Sequence, residues 1–255
     1  GQFATLWCEL AMRIGLQPEL IPGDWRSGVD PDRVAERLRA DTAHEIKAVC
    51  CVHNETSTGV TSRIGAVREA INETGHPALF LVDTISGLAS ADYQHDAWGV
   101  DVTVTGSQKG LMLPPGLGFN CVSRKALEAH EKSGFSKSYW DWGPMLGNNA
   151  NGFFPYTPAT SLLFGLEEAL KMLLDEEGLP HVFARHQRHA KATRIAVEHW
   201  GLEVLCQVEE EHSPVLTGVL LPDEHDADHV RNVILDKFDM SLGTGLGKIK
   251  GKVFR

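Results

Sequence analysis

Asp101-Val-Thr-Val-Thr-Gly-Ser-Gln-Lys-Gly110 reads as a strand that runs directly into a glycine-flanked lysine. Two segments upstream share its strand character. Ala48-Val-Cys-Cys-Val-His53 and Ala78-Leu-Phe-Leu-Val-Asp83 are continuous apolar runs, the pattern of strands buried on both faces. Between them, Ser62 to about Gly75 sets Ile64, Val67 and Ile71 on one helical face. Before them, Asp30-Pro31 supplies an N-cap and a first-turn proline, with Val34 and Leu38 following at helical spacing. Leu117–Val122 predicts a fourth strand. Strands separated by helices imply an α/β fold with a mainly parallel sheet, whose ligands sit at the carboxyl ends of the strands.

Beyond this region, Gly143–Tyr156 is rich in glycine and asparagine and reads as irregular. Long helices are predicted over Thr157–Glu176 and Leu179–Trp200. Strands at Glu203–Cys206, Val215–Leu221 and Gly251–Arg255, with a helix at Ala227–Phe238, complete an α+β pattern. The expected division is a large domain over 1–176 and a small, incomplete α+β domain over 177–255. Gly1 is not a methionine and the chain stops in a strand-like segment, so an internal piece of a longer polypeptide is expected.

Composition narrows the function. The formal net charge is −10, which argues against nucleic acid as the main partner. An anionic substrate would then depend on local cations rather than on the overall field. Apolar stretches are of strand length, well short of the roughly 20 residues needed to span a bilayer, and no signal peptide is visible. Cys8, Cys50, Cys51, Cys121 and Cys206 lack Cys-x-x-Cys spacing and read as reduced core residues of a cytoplasmic protein. His181, His186 and His189 lie in a helix with Arg185 and Arg188, which reads as a solvated face and not a metal site. The aromatic group Tyr139-Trp-Asp-Trp142 with Phe153-Phe154 fits either a substrate channel or a subunit interface.

Three polar clusters fall at predicted strand ends: His53-Asn-Glu-Thr-Ser-Thr-Gly59, Asp83-Thr-Ile-Ser86 and Gly106-Ser-Gln-Lys-Gly110. A parallel sheet brings such ends to one crevice. The third is no Walker A loop, since the Gly-x-x-x-x-Gly-Lys-Ser/Thr spacing is absent. A hydroxyl-rich turn, a strand-end carboxylate and a lysine are instead the parts of a pyridoxal phosphate site. The lysine forms an imine, the carboxylate keeps the pyridine nitrogen protonated, and the hydroxyls bind oxygens of the cofactor.

In these residues the chain resembles the class V aminotransferases, and within them the serine–glyoxylate and alanine–glyoxylate group. Further shared segments are Gly1-Gln-Phe, Trp98-Gly-Val-Asp-Val102, Pro155-Tyr-Thr-Pro158, Ser241-Leu-Gly-Thr-Gly-Leu-Gly247 and Gly251-Lys-Val-Phe-Arg255. The resemblance implies an aspartate-aminotransferase-like fold and pyridoxal 5'-phosphate as cofactor. It makes Lys109 the Schiff-base lysine and Asp83 the partner of the pyridine nitrogen. Thr56 becomes the hydroxyl at the phenolic oxygen, Ile85 the aliphatic residue under the ring, and Gln108 a phosphate contact. Thr157 would reach the cofactor phosphate of a neighbouring subunit, implying a homodimer, and Arg255 would clamp the substrate α-carboxylate. Phe154 stands where alanine-type members carry a phosphate-binding tyrosine, so that contact is expected to be missing. The front segment that holds the phosphate in family members is likewise expected to lie outside the chain. The Ser-Gln-Lys sequence separates the chain from cysteine desulfurases, whose lysine usually follows a histidine.

The implied reaction moves the amino group of serine or alanine, or of aspartate, to glyoxylate by ping-pong chemistry, giving glycine. Two alternatives stay open: another 2-oxo acid acceptor, and a non-catalytic module derived from the same fold.

Overall fold

The computed structural model describes residues 1–255. It opens with helices α1 (Gln2–Arg13) and α2 (Pro31–Ala40), followed by strand β1 (Ala48–Val52) and the short pair β2 (Asn54–Glu55) and β3 (Val60–Thr61). Helix α3 (Ile64–Thr74), strands β4 (Leu79–Asp83), β5 (Val102–Gly106) and β6 (Gly118–Val122), and helix α4 (Arg124–Glu131) come next. The remainder comprises α5 (Trp142–Asn149), α6 (Thr160–Lys171), α7 (Leu179–His199), β7 (Glu203–Val204), β8 (Val219–Leu220), α8 (Ala227–Phe238) and β9 (Val253–Phe254).

Local chemistry accounts for the helices around the sheet. Asp30 caps α2 by accepting from Asp32 N at 3.0 Å, and Pro31 occupies the first turn, where no intrahelical donor is needed. Val34, Ala35 and Leu38 form its buried stripe, while Ile64, Val67, Ala70 and Ile71 form that of α3. Both stripes close over Phe80 and Val82 of β4 in one apolar cluster that also holds Cys51 and Val100. Phe80 is fully buried there. Phe80→Ala is expected to cost about 3–5 kcal/mol through lost transfer energy and an unfilled cavity, read from the urea midpoint.

The main sheet has the order β1-β4-β5-β6. β1 pairs with β4, and β4 with β5, in parallel, whereas β6 runs antiparallel to β5. A buried carboxylate ties the opposite end of these strands together. Asp101 accepts from Phe80 N at 2.8 Å, from Arg68 Nη2 at 2.9 Å and from Ser123 Oγ at 2.9 Å. Such pairing offsets the cost of burying its charge. The second sheet, β7-β8-β9, is antiparallel throughout.

Several expectations need correction. The Gly143–Tyr156 stretch contains most of α5, because Asp141 accepts from Gly143 N at 2.9 Å and supplies a cap that composition alone hides. The helix expected over Thr157–Glu176 begins at Thr160 and finishes in a π turn, Met172–Glu177. The strand expected over Val215–Leu221 is reduced to Val219–Leu220, since the Ser213 hydroxyl accepts from Val215 N and Leu216 N and turns the backbone locally. Cys51 and Cys206 are buried as expected, but Cys50 and Cys121 lie exposed on the edge strands β1 and β6. β1 is therefore not buried on both faces along its length. No helix is long and apolar enough to cross a membrane.

Candidate active site

The parallel strands deliver their carboxyl ends to one edge of the sheet. Val52 lies opposite Asp83, and Asp83 opposite Val104. His53 N donates to Asp83 O at 2.9 Å, and Thr84 N to Val104 O at 2.9 Å, so the strands stay in register as they end. Asp83 then accepts from Ile85 N through Oδ1 at 2.8 Å, a local bond that turns the chain out of the sheet. Oδ2 takes no bond from the protein. Burial pushes the Asp83 carboxyl above its ordinary range, the Ile85 amide opposes this, and nearby Glu55 adds to it.

The turn after β1 is built around Glu55 and Gly59. Thr58 N and Gly59 N both donate to Glu55 O, at 3.1 and 3.0 Å. Gly59 has φ +76°, and a Cβ there would lie 3.0 Å from Gly218 N, so only glycine closes the turn without strain. The Glu55 carboxylate accepts from Phe3 N, Ala4 N, Ser57 N and Ser57 Oγ, capping α1 and holding the turn rigid. This presents Thr56. Its hydroxyl donates to Ser86 Oγ at 2.8 Å, and its carbonyl accepts from Arg255 Nη1 at 2.7 Å. Arg255 is also held by Thr244 O, which accepts from Nε at 2.8 Å.

The lysine loop is fixed by Ser107, which is fully buried. Its hydroxyl donates to Pro114 O at 2.8 Å and accepts from Leu117 N at 3.2 Å, so the two arms of the loop are stitched together. Gln108 and Lys109 project from this anchored turn and are exposed. A Cβ on Gly106 would lie 2.8 Å from Gln108 Oε1 and 3.5 Å from Ile85 Cδ1. The missing side chain thus lets Ile85 and Gln108 close over the same glycine.

Six of the seven residues expected from the sequence therefore sit on elements that meet at the sheet edge: Thr56, Asp83, Ile85, Gln108, Lys109 and Arg255. Thr157 does not join them. It lies exposed in the loop before α6 and makes no hydrogen bond to any of them. His53 is buried beside Tyr93, with ring centroids 5.1 Å apart, and its Nδ1 has no partner. Burial pushes its pKa down to about 4, so the ring is neutral at physiological pH. Sequence reasoning assigned no role to Asn54, Ser86 or Thr244, which orient Thr56 and Arg255. Asn54 and Ser86 do fall inside the polar clusters at strand ends, which was the available signal.

Residues 3–245 match the family described as aminotransferase class-V, and the chain belongs to that family. It is 48% identical to the serine–glyoxylate aminotransferase of Methylorubrum extorquens over 260 residues, covering all of this chain and 64% of that protein. It is 44% identical to the L-aspartate–glyoxylate aminotransferase of Paracoccus denitrificans, again over 100% of this chain and 64% of that one. Among solved structures it superposes on an alanine–glyoxylate aminotransferase from Nostoc with a TM-score of 0.89 at 30% identity. That match covers 100% of this chain and 66% of the Nostoc chain. The expected aspartate-aminotransferase-like fold is thereby found, and the chain spans about 64% of the length of the curated relatives named here.

Proposed function

We propose that the protein containing this chain is a pyridoxal phosphate-dependent transaminase that moves the amino group of a small amino acid to glyoxylate, giving glycine and a 2-oxo acid. The observation that carries this reading is the convergence of a free carboxylate oxygen, a hydroxyl and a guanidinium at the end of the sheet from which Lys109 projects. The residues present fit the cofactor. Asp83 offers an unbonded oxygen in a poorly solvated place, which suits a protonated ring nitrogen, and Gly106, lacking a Cβ, lets Ile85 and Gln108 come together beside it.

Pyridoxal phosphate, when bound, supplies an electron sink for the electron pair left at the substrate α-carbon. Asp83 Oδ2 would hold the proton on the ring nitrogen. Thr56, Ile85 and Gln108 would hold the phenolic oxygen, the ring face and the phosphate. Lys109 Nζ would anchor the cofactor and, when free, take the substrate α-proton as a general base and return it as an acid. Arg255 orients the donor's carboxylate with a planar guanidinium, and the two half-reactions follow each other in ping-pong order. Serine or alanine is the expected donor, with aspartate next, in keeping with the activities for which these relatives are named.

The working unit in this reading is a homodimer with Thr157 reaching the partner's site. Support comes from exposed aromatic side chains on and flanking that loop: Trp140 is 79% exposed, Phe153 67% and Phe164 74%, and the Tyr139 and Tyr156 ring centroids lie 4.9 Å apart. Patches of this kind on a globular protein mark interaction sites. The division at 176/177 into a large and a small domain belongs to the same reading, as does a cytoplasmic setting. Initial rates with a panel of amino donors and 2-oxo acids test the function, and absence of glycine formation from glyoxylate overturns it.

Asp83 yields a prediction with two sides. Its folded pKa is raised, so the folded chain binds this proton more tightly than the unfolded chain. The contribution to stability is therefore full below the ordinary Asp value and is lost as pH rises through the raised one. Asp83→Asn is expected to raise Tm at pH 7 in cofactor-free protein, the gain vanishing in acid where Asp83 is already protonated. In the loaded protein the same change should lower kcat by roughly 10²–10³-fold, as expected for a lost electrostatic stabiliser.

A further inference from the structure

A second layer of polar side chains lies behind Thr56. Ser86 is buried and bonds to three groups at once. Asn54 Nδ2 donates to Ser86 Oγ at 2.8 Å, Thr56 Oγ1 donates to it at 2.8 Å, and Ser86 Oγ donates to Asn54 O at 2.8 Å. The amide of Asn54 is oriented by Thr61, whose hydroxyl donates to Asn54 Oδ1 at 3.0 Å across the β2–β3 pair.

Counting protons makes the arrangement directional. A serine hydroxyl has one proton and two lone pairs. Asn54 O is a carbonyl and can only accept, so it takes the Ser86 proton. The Asn54 amide nitrogen can only donate, so it occupies one lone pair. The remaining lone pair receives the Thr56 proton. At the same time the Thr56 carbonyl is tied to Arg255. Thr56 is thus held from both sides, with its proton directed away from any ligand.

We propose that Ser86 is a positioning residue: it accepts the hydrogen bond of the Thr56 hydroxyl, so that Thr56 meets the cofactor's ring oxygen with lone pairs and not with a donor. The proposal rests on the reading of this site as a pyridoxal phosphate site. Its consequence concerns the proton that the ring oxygen shares with the Lys109 nitrogen. Without a donor from Thr56, the charge on that oxygen is less stabilised, and the shared proton is kept to higher pH. Removing Ser86 releases the Thr56 proton to the ring oxygen and lowers the pH at which the shared proton is lost.

The test is an absorbance titration of full-length protein reconstituted with pyridoxal phosphate, following the pH at which the visible band of the bound cofactor shifts. Ser86→Ala is expected to lower that pH by roughly 1–2 units, the size one hydrogen bond to a charged oxygen commands. Ser86→Cys, close in volume but a weak acceptor, should lower it by less, and serves as the measurement if Ser86→Ala does not fold. In a Thr56→Val background, Ser86→Ala should cause no further change, which isolates the pair as a double-mutant cycle does. A purely structural role would weaken cofactor affinity or Tm and leave the transition pH in place. An unmoved transition in both single variants, or a full shift persisting without the Thr56 hydroxyl, overturns the proposal. Wild-type protein that develops no visible band overturns the cofactor reading itself, an outcome separate from an unmoved band.

Discussion

Lys109→Ala is expected to abolish the visible band that full-length protein develops with pyridoxal phosphate, together with any adduct trapped by borohydride. Transamination should fall by at least about 10³-fold, since in the proposed function one residue serves as both covalent anchor and proton carrier. The loss should come with little change in stability. Lys109 is exposed, and the loop beneath it is held by Ser107, which bonds Pro114 O and Leu117 N independently of the lysine. Lys109→Arg should be equally inactive, because a guanidinium keeps the charge but neither forms the adduct nor gives up a proton near neutral pH. Unaltered urea midpoints beside a missing band would place the effect in chemistry, whereas a band surviving in Lys109→Ala would show that another amine holds the cofactor.

The second large effect is expected at Arg255. Nε donates to Thr244 O and Nη1 to Thr56 O, leaving the second Nη1 proton and both Nη2 protons for a ligand. In the proposed function a substrate carboxylate would take up Nη protons that the protein leaves unbonded. Burial and the neighbouring Arg231 lower the Arg255 pKa, and Glu55 opposes them, so an arriving carboxylate relieves a partly desolvated cation. Arg255→Ala should reduce kcat/KM for the amino donor by about 10²- to 10⁴-fold, the worth of two charge-assisted hydrogen bonds. Arg255→Lys should recover little of this, because a compact ammonium lacks the planar fork that reaches Thr244 O and Thr56 O while presenting two donors to a carboxylate. The visible band should persist in both variants, and steady-state kinetics with several donors would check the loss. A variant that kept wild-type kcat/KM would remove Arg255 from the substrate site.

The two ends of the chain were unequally legible in sequence. Apolar runs at Ala48–His53 and Ala78–Asp83 announce strands because burial demands apolar side chains wherever a strand is covered, and Asp30-Pro31 announces α2 because a cap and a fixed φ act within one turn. The small sheet was less readable. Its strands are two residues each, and their extent depends on pairing with each other rather than on any local pattern. The helix within Gly143–Tyr156 escaped for a related reason: one capping aspartate outweighs a composition poor in helix formers.

For the candidate site, the sequence by itself determined which chemistry was on offer. A lysine after Gly-Ser-Gln, an aspartate closing an apolar strand and an arginine after Gly-Lys-Val-Phe are covalent and ionic facts that no folding alters. Their assembly needed the tertiary structure. Only parallel register puts Val52, Asp83 and Val104 side by side, and only the packed fold brings Arg255 to the carbonyl of Thr56. The direction of the Thr56 proton lies further still from the primary structure. It follows from a count of donors and acceptors around Ser86, and such a count exists only once Asn54, Thr56 and Ser86 are in contact. Residue identity sets what each group can give or take, while three-dimensional contact decides to whom it is given.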